Sequence, residues 1–111
     1  MISIITVGMN HRKYLEALYG SLYGVGSPDV ELETVYVDNC STDGSVDWLR
    51  ENYPQVKIIV NTEPLGFGEN NNKGVMASKG DYIGIVNPDI VLEQGSINSI
   101  MNKAKEMVWG G

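Results

Sequence analysis

Cysteine is nearly missing from this chain: Cys40 is the one such residue among 111. Neither a disulfide framework nor a thiolate metal cluster can be built from it, which suggests a reduced, cytoplasmic setting. Histidine also occurs once, at His11, where it reads as a solvated residue in the first turn of a helix. Positive charge is scarce, with 8 basic against 14 acidic residues, a formal net charge of -6 and no cluster of lysine or arginine. Nucleic-acid binding needs a basic footprint, so no nucleic-acid partner is expected. No apolar run approaches the ~20 residues of a transmembrane segment, and no secretory signal opens the chain. Peripheral contact with the inner face of a membrane, through a segment outside these residues, stays open.

Glycine is absent from the places where cofactor loops need it. The turn after the first apolar run, Val7-Gly8-Met9-Asn10, has a single glycine, which disfavours dinucleotide and methyl-donor cofactors. Gly66-Phe67-Gly68-Glu69-Asn70-Asn71 begins like a dinucleotide fingerprint, but it follows the third apolar run and lacks the last glycine. No Gly-Lys-Ser/Thr phosphate loop occurs. Asn39, Ser41, Asp43 and Gly44 fall on a calcium-loop register, yet the first position is Asn and the twelfth is Arg50 rather than Glu. An EF-hand is rejected. The Asn39-Cys40-Ser41 sequon carries no weight in a cytoplasmic protein.

What remains is an ordinary soluble composition, 42% hydrophobic and 20% charged, of a length that suits one domain. Ile2 to Val7 is apolar on both faces, as a parallel strand covered by helices would be. Asn10 is a suitable N-cap for a helix carrying Tyr14, Leu15, Leu18, Leu22 and Tyr23 on one stripe. Thr34 to Val37 reads as a second strand finishing on Asp38. Asp43 and Ser45 cap a second helix, whose apolar side is Val46, Trp48, Leu49 and Tyr53 and which Pro54 stops. Val56 to Val60 is a third strand. A glycine- and asparagine-rich loop, Glu63 to Asn72, leads into a third helix ending near Gly80. Tyr82 to Val86 is a fourth strand, and Ile97, Ile100, Met101, Ala104 and Val108 recur at helical spacing beyond it. The tyrosines of the first helix, with Trp48 and Tyr53, read as helix packing, and Asp47 with Glu51 as a solvated face.

Strand and helix alternating four times over gives an α/β fold: an open, mostly parallel sheet of about four strands with helices on both faces. With strand order 3-2-1 and the fourth strand beyond the first, a ligand crevice forms outside the carboxyl ends of the strands. Val7 to Asn10, Asp38, and Asn87 to Asp89 would then meet there. Pro88 cannot donate to a ladder, so the fourth strand must end at Asn87-Pro88-Asp89. Taken alone, that tip reads as an Asx-type turn. Beside the other strand ends, it reads as a carboxylate for a hard divalent cation that diphosphate oxygens complete.

Four segments carry a resemblance: Ser3-Ile-Ile-Thr6, Val37-Asp-Asn-Cys-Ser-Thr-Asp-Gly-Ser45, Leu65-Gly-Phe-Gly-Glu-Asn-Asn-Asn-Lys-Gly74 and Val86-Asn-Pro-Asp89. In this order, over nearly the whole chain, they resemble the successive motifs of family-2 glycosyltransferases with the Rossmann-like GT-A fold. The nearest branch is the rhamnosyltransferase-like one, in which Asn-Pro-Asp often replaces a longer acidic triplet. The resemblance implies sugar transfer from a nucleotide-diphosphate sugar (UDP-, dTDP- or GDP-linked) to a hydroxyl of a sugar or glycolipid acceptor. It also implies a divalent cation, Mg2+ or Mn2+, and a place in polysaccharide or glycoconjugate synthesis.

By the same resemblance, Asp38 accepts a hydrogen bond from the base, Val7, Met9 and Asn10 line the base pocket, and Asn87 approaches the ribose. Asp89 reaches the metal. Asn39, Gly66, Asn71 and Lys73 complete the nucleotide-sugar-binding set, with Lys73 near the phosphates. Two departures stand out: Met9 lies where the family commonly has an aromatic residue, and Asn87 replaces a frequent acidic one. A catalytic domain of that family is roughly twice this long, beyond the ~100–150 residues of a typical domain, so residues 1–111 correspond to a donor half. The acceptor half, with the base that deprotonates the acceptor hydroxyl, is expected to be missing; no position here matches that base, and the catalytic residues are left unassigned. The alternative is a non-catalytic nucleotide-binding or assembly module derived from that fold. A nucleotidyltransferase would need a basic, glycine-rich run after the first strand, which is lacking. A half-domain also leaves a sheet edge uncovered, and self-association through that edge is expected.

Overall fold

The computed structural model describes residues 1–92, 95, 97 and 98. Four strands, β1 (Ile2–Gly8), β2 (Leu32–Asp38), β3 (Lys57–Val60) and β4 (Tyr82–Ile85), form one parallel sheet in the order β3-β2-β1-β4. That is the expected order, and each strand lies within a residue or two of its expected bounds. Ile2 to Thr6 of β1 and Thr34 to Asp38 of β2 are all buried, which explains why these strands read as uninterrupted β-branched and aromatic runs. β3 and β4 are shorter and only partly covered, as the outer strands of the described sheet.

Three helices cover the faces: α1 (Arg12–Leu22), α2 (Ser45–Asn52) and α3 (Phe67–Ala77). Successive side chains on a strand point to opposite faces. Ile2, Ile4 and Tyr36 accordingly share one core cluster with Leu15, Leu18, Tyr19, Leu22 and Leu49 of α1 and α2. Ile5, on the opposite pleat, packs against Gly74 of α3. Tyr53, just past α2, stacks near Tyr23 and lies within 6 Å of Tyr19 and Trp48, ring centre to ring centre. The Arg12 guanidinium sits 4.2 Å above the Trp48 ring. The aromatics are thus helix packing, as expected, with one exception: Tyr14 faces outward and Tyr19 takes its place in the core.

Two helix starts differ from expectation. Asn10 does not cap α1. It adopts a left-handed backbone (φ 59°), and His11 stands at the N-cap with Nδ1 accepting the Met9 N–H at 2.9 Å. The helix-capping acceptor comes instead from across the gap, where Asp43 Oδ2 accepts the Arg12 N–H at 2.8 Å. Asp43 Oδ1 also accepts the Ser45 N–H at 3.1 Å and the Ser45 hydroxyl, so one carboxylate closes the N-termini of α1 and α2 together. The second departure is α3, which begins at Phe67 rather than after Asn72. Glycine and asparagine are poor helix formers, so local propensity pointed to a loop. Burial of Asn70 and the fit of Gly74 against β1 override it. The expected fourth helix lies outside the described residues except at Ile97 and Asn98, which are helical.

A Cβ on Gly74 would fall well inside van der Waals contact with the Ile5 γ2-methyl, whereas one on Gly68 would meet nothing within 4 Å. Gly74→Ala is therefore expected to destabilise the fold by about 1–3 kcal/mol in a denaturant titration, through overpacking. Gly68→Ala should be neutral or stabilising by up to ~1 kcal/mol. Asp43 supplies a second expectation. Burial opposes its charge, but the hydrogen bonds from the Ser45 hydroxyl, the Arg12 N–H and the Ser45 N–H outweigh that and hold its carboxyl below the ordinary 3.8. The stabilisation is complete above that ordinary value and is lost as pH falls below it toward the folded-state value. In urea titrations across pH, wild type should exceed Asp43→Asn by a constant margin near neutrality, and the margin should shrink below pH 3.8. A margin that grows on acidification would contradict this.

Candidate functional site

Because all four strands are parallel, their carboxyl ends share one edge of the sheet, and the register fixes their heights. Gly8 of β1 is level with Asp38 of β2, which is level with Val60 of β3. Ile85 is level with Ile5, and the ladder continues one step further through the Val86 N–H to the Ile5 carbonyl at 2.9 Å. Asn87 therefore follows at the height of Val7. Parallel neighbours lie about 4.8 Å apart, so Asp38, the Val7–Gly8 end of β1 and Asn87 form a row about 10 Å across.

Asp38 is buried, at 2% exposure. Its Oδ2 accepts the Ser41 N–H at 3.0 Å, and its Oδ1 lies 3.4 Å from the Tyr36 hydroxyl. Burial, and then the Asp38 charge, push the Tyr36 phenol far above its usual range, so it remains protonated and can donate. The same hydroxyl occupies the space a Cβ at residue 8 would need, which is why that position must be glycine. A carboxylate has about four lone-pair sites. Two are engaged here, which leaves acceptor capacity for an N–H donor.

Beside Asp38 runs a row of amides. Asn39 Oδ1 accepts the Leu65 N–H at 2.9 Å and Asn61 Nδ2 at 3.1 Å, while Asn39 Nδ2 donates to the Leu65 carbonyl at 3.2 Å. Asn61 Nδ2 also donates to Asn70 Oδ1 at 2.7 Å, and Asn61 Oδ1 accepts Lys73 Nζ at 3.0 Å. Asn61 and Asn70 are almost fully buried. This row ties the loop between β3 and α3 to the end of β2, and it draws the Lys73 ammonium toward the same edge. Asn71, one step along α3, has a buried Oδ1 with no hydrogen-bond partner among the described residues. Gly66 is exposed and opens α3 in extended conformation.

The tip after β4 is a β-turn, with Pro88 at its second position and the Ile90 N–H donating to the Asn87 carbonyl at 3.2 Å. Val86 is buried before it, and Leu92 after it, where its N–H donates to Ser21 Oγ at 3.0 Å. Pro88 is itself buried, so the turn carries Asp89 outward to solvent. Among the described residues no three His, Cys, Asp or Glu side chains converge on one point. One exposed carboxylate fits a hard cation that arrives with its own oxygen ligands, not a cage made by protein alone.

The edge thus gathers Val7, Met9, Asn10, Asp38, Asn39, Asn87 and Asp89, and Lys73 joins through the amide row; Gly66 and Asn71 lie at the start of α3 beside that row but make no side-chain hydrogen bond within it. Three residues of this arrangement were not expected from the sequence to bear on the site: Tyr36, Asn61 and Asn70. Tyr36 is a phenol in an apolar strand two residues before an acid, and Asn61 is an amide directly after the third apolar run. Both positions held a usable signal.

The chain matches the family model for glycosyl transferase family 2 over residues 3–108. It is 30% identical over 102 residues to abequosyltransferase RfbV of Salmonella typhimurium, covering 87% of this chain and 30% of that protein. To the poly(ribitol-phosphate) beta-N-acetylglucosaminyltransferase TarS of Staphylococcus aureus it is 29% identical over 90 residues, 78% of this chain and 16% of that one. The crystal structure of TarS 1-349 in complex with UDP-GlcNAc superimposes with a TM-score of 0.79 at 25% identity, covering 91% of this chain and 30% of TarS 1-349. Mannosyltransferase PcManGT of Pyrobaculum calidifontis, in complex with GDP-Man and Mn2+, superimposes with a TM-score of 0.73 at 25% identity, over 81% of this chain and 28% of that one. The chain spans less than a third of the length of each of these proteins. With a family match over nearly every residue and a GT-A sheet whose strand ends form one row, this chain belongs to glycosyl transferase family 2.

Proposed function

We propose that residues 1–111 are the donor-binding half of a glycosyltransferase that moves a sugar from a nucleotide-diphosphate donor to an acceptor hydroxyl in surface-polysaccharide or glycoconjugate synthesis. The observation that carries this reading is the row of Asp38, Val7–Gly8 and Asn87–Asp89 on one sheet edge. Asp38, buried and already held by Ser41, accepts an N–H of the base, and Val7, Met9 and Asn10 form the wall beside it. Asn39 acts as a strut between β2 and the β3–α3 loop, its side chain being engaged on both ends. Asn87 turns toward the ribose. Lys73 and Asn71 approach the phosphates from α3, and Gly66 leaves that approach open. Asp89 would hold a divalent cation, Mg2+ or Mn2+, arriving with the diphosphate. Such a cation, when bound, offsets the charge that grows on the departing nucleoside diphosphate.

The rhamnosyltransferase-like branch is supported by Asn87-Pro88-Asp89 standing in place of a longer acidic triplet. The partners of this reading are a UDP-, dTDP- or GDP-linked sugar and a sugar or glycolipid acceptor. Cys40, free and half-buried, suits a cytoplasmic site, with the complete protein peripheral to the inner face of the membrane. No described helix is long and apolar enough to cross a membrane. We assign no catalytic base within residues 1–111, and for this chain by itself we expect donor binding with little or no turnover.

Calorimetric titration with UDP, dTDP and GDP, with and without Mn2+, tests the reading. One nucleotide should bind with Mn2+ dependence, and Asp89→Ala should abolish that dependence while Lys13→Ala retains it. Asp38→Asn should weaken binding about tenfold to a hundredfold, the cost of a hydrogen bond to a charged group. Binding of no nucleotide would favour an assembly module derived from the fold. The described sheet also leaves β4 paired on one side only. Outer strands with free ladder groups tend to pair, so the chain alone should self-associate. Light scattering that reports a strict monomer at high concentration would refute this.

A further inference from the structure

Among the described residues, two that are not glycine adopt left-handed backbone conformations, Asn10 (φ 59°) and Cys40 (φ 62°). They lie on the two turns that follow β1 and β2, and those turns face one another. Asparagine tolerates this region better than most residues, but the conformation persists only where its surroundings hold it. The surroundings here are hydrogen bonds from the opposite turn. The Asn10 N–H donates to Ser41 Oγ at 2.9 Å. Asn10 Oδ1 accepts the Thr42 N–H at 2.7 Å and lies 3.4 Å from the Thr42 hydroxyl. Below this, the Asn39 N–H donates to the Gly8 carbonyl at 2.8 Å. Ser41, gripped from above by Asn10, is the same residue whose N–H donates to Asp38 Oδ2.

We infer that Asn10 is a positioning residue for Asp38: it latches the Ser41–Thr42 turn, and that turn orients the carboxylate through the Ser41 N–H. The inference rests on the donor-site reading and deepens it. The Asn10 side-chain oxygen is engaged by Thr42, so its contribution to ligand binding passes through the Ser41–Thr42 turn rather than through a direct contact of that oxygen. Aspartate at this position keeps the acceptor and tolerates the left-handed backbone. Glycine keeps the backbone and loses the acceptor, and alanine loses both.

The test uses whichever of UDP, dTDP or GDP binds the wild-type chain with Mn2+, and adds hydrogen exchange at the Thr42 amide. Asn10→Gly and Asn10→Ala should each bind about tenfold more weakly, a factor that corresponds to 1.4 kcal/mol, with Thr42 exchange accelerated. Asn10→Asp should restore binding to within about twofold of wild type and restore Thr42 protection. Should Asn10→Ala fail to fold, Asn10→Gly carries the comparison, because it removes the side chain without backbone strain. The inference is overturned if Asn10→Gly binds like wild type. It is equally overturned if Asn10→Asp binds as weakly as Asn10→Gly with Thr42 still protected, which would make the Asn10 amide nitrogen a direct ligand contact. Wild type that binds none of the three nucleotides sinks the donor reading itself, and the positioning role with it.

Discussion

The parallel pairing of β1 with both β2 and β4 is the constraint on which the rest depends. A parallel neighbour puts its carboxyl end beside one's own, and every crossover must then return over a face of the sheet. One strand with two parallel partners therefore brings three turns, distant in sequence, to a single edge. The register decides what each turn delivers there: Gly8 beside Asp38, and Asn87 one step away on the other side. A slip of one residue in either pairing would turn the side chains of that strand to the other face. Burial of β1 and β2 on both sides makes such slips costly.

Much of this was legible in the sequence, and the reasons differ by element. β1 and β2 declared themselves as apolar runs because both of their faces are covered. The Asn87-Pro88-Asp89 tip declared itself because proline cannot extend a ladder. The strand order had no local signal: it entered as an assumption about alternating strand-helix chains, and the pairing of β1 with β4 bears it out. What escaped was tertiary. Nothing near Asn10 reveals that its backbone is left-handed, because the cause lies at Ser41 and Thr42, 31 and 32 positions away. Phe67 to Asn72 looked like loop because its residues favour one, and it takes burial of Asn70 and the space beside Ile5 to make a helix there worthwhile. Gly8 and Tyr36 could not be read as a pair, since a phenol standing in for a missing methyl is a fact of packing.

Charge at the edge is handled by geometry more than by number. The chain is acidic overall, yet at the strand ends one carboxylate, Asp38, is sunk among donors and another, Asp89, is carried out on a turn anchored by Val86 and Leu92. A third, Asp43, accepts hydrogen bonds at two helix N-termini. Three acids within one edge thus serve three separate purposes, and their surroundings keep those purposes apart.

The amide row from Lys73 to Asn39 has a direction. Ammonium can only donate, so the oxygen of Asn61 must face Lys73, and its nitrogen must then point at the oxygens of Asn39 and Asn70. The cation at the outer end sets the sense of Asn61, while the Leu65 N–H and carbonyl set that of Asn39 and the Leu65 carbonyl that of Asn70. The rim cation and the Leu65 backbone thus agree on one arrangement, and reversing the sign at the rim would turn the Asn61 oxygen against the fixed oxygens of Asn39 and Asn70.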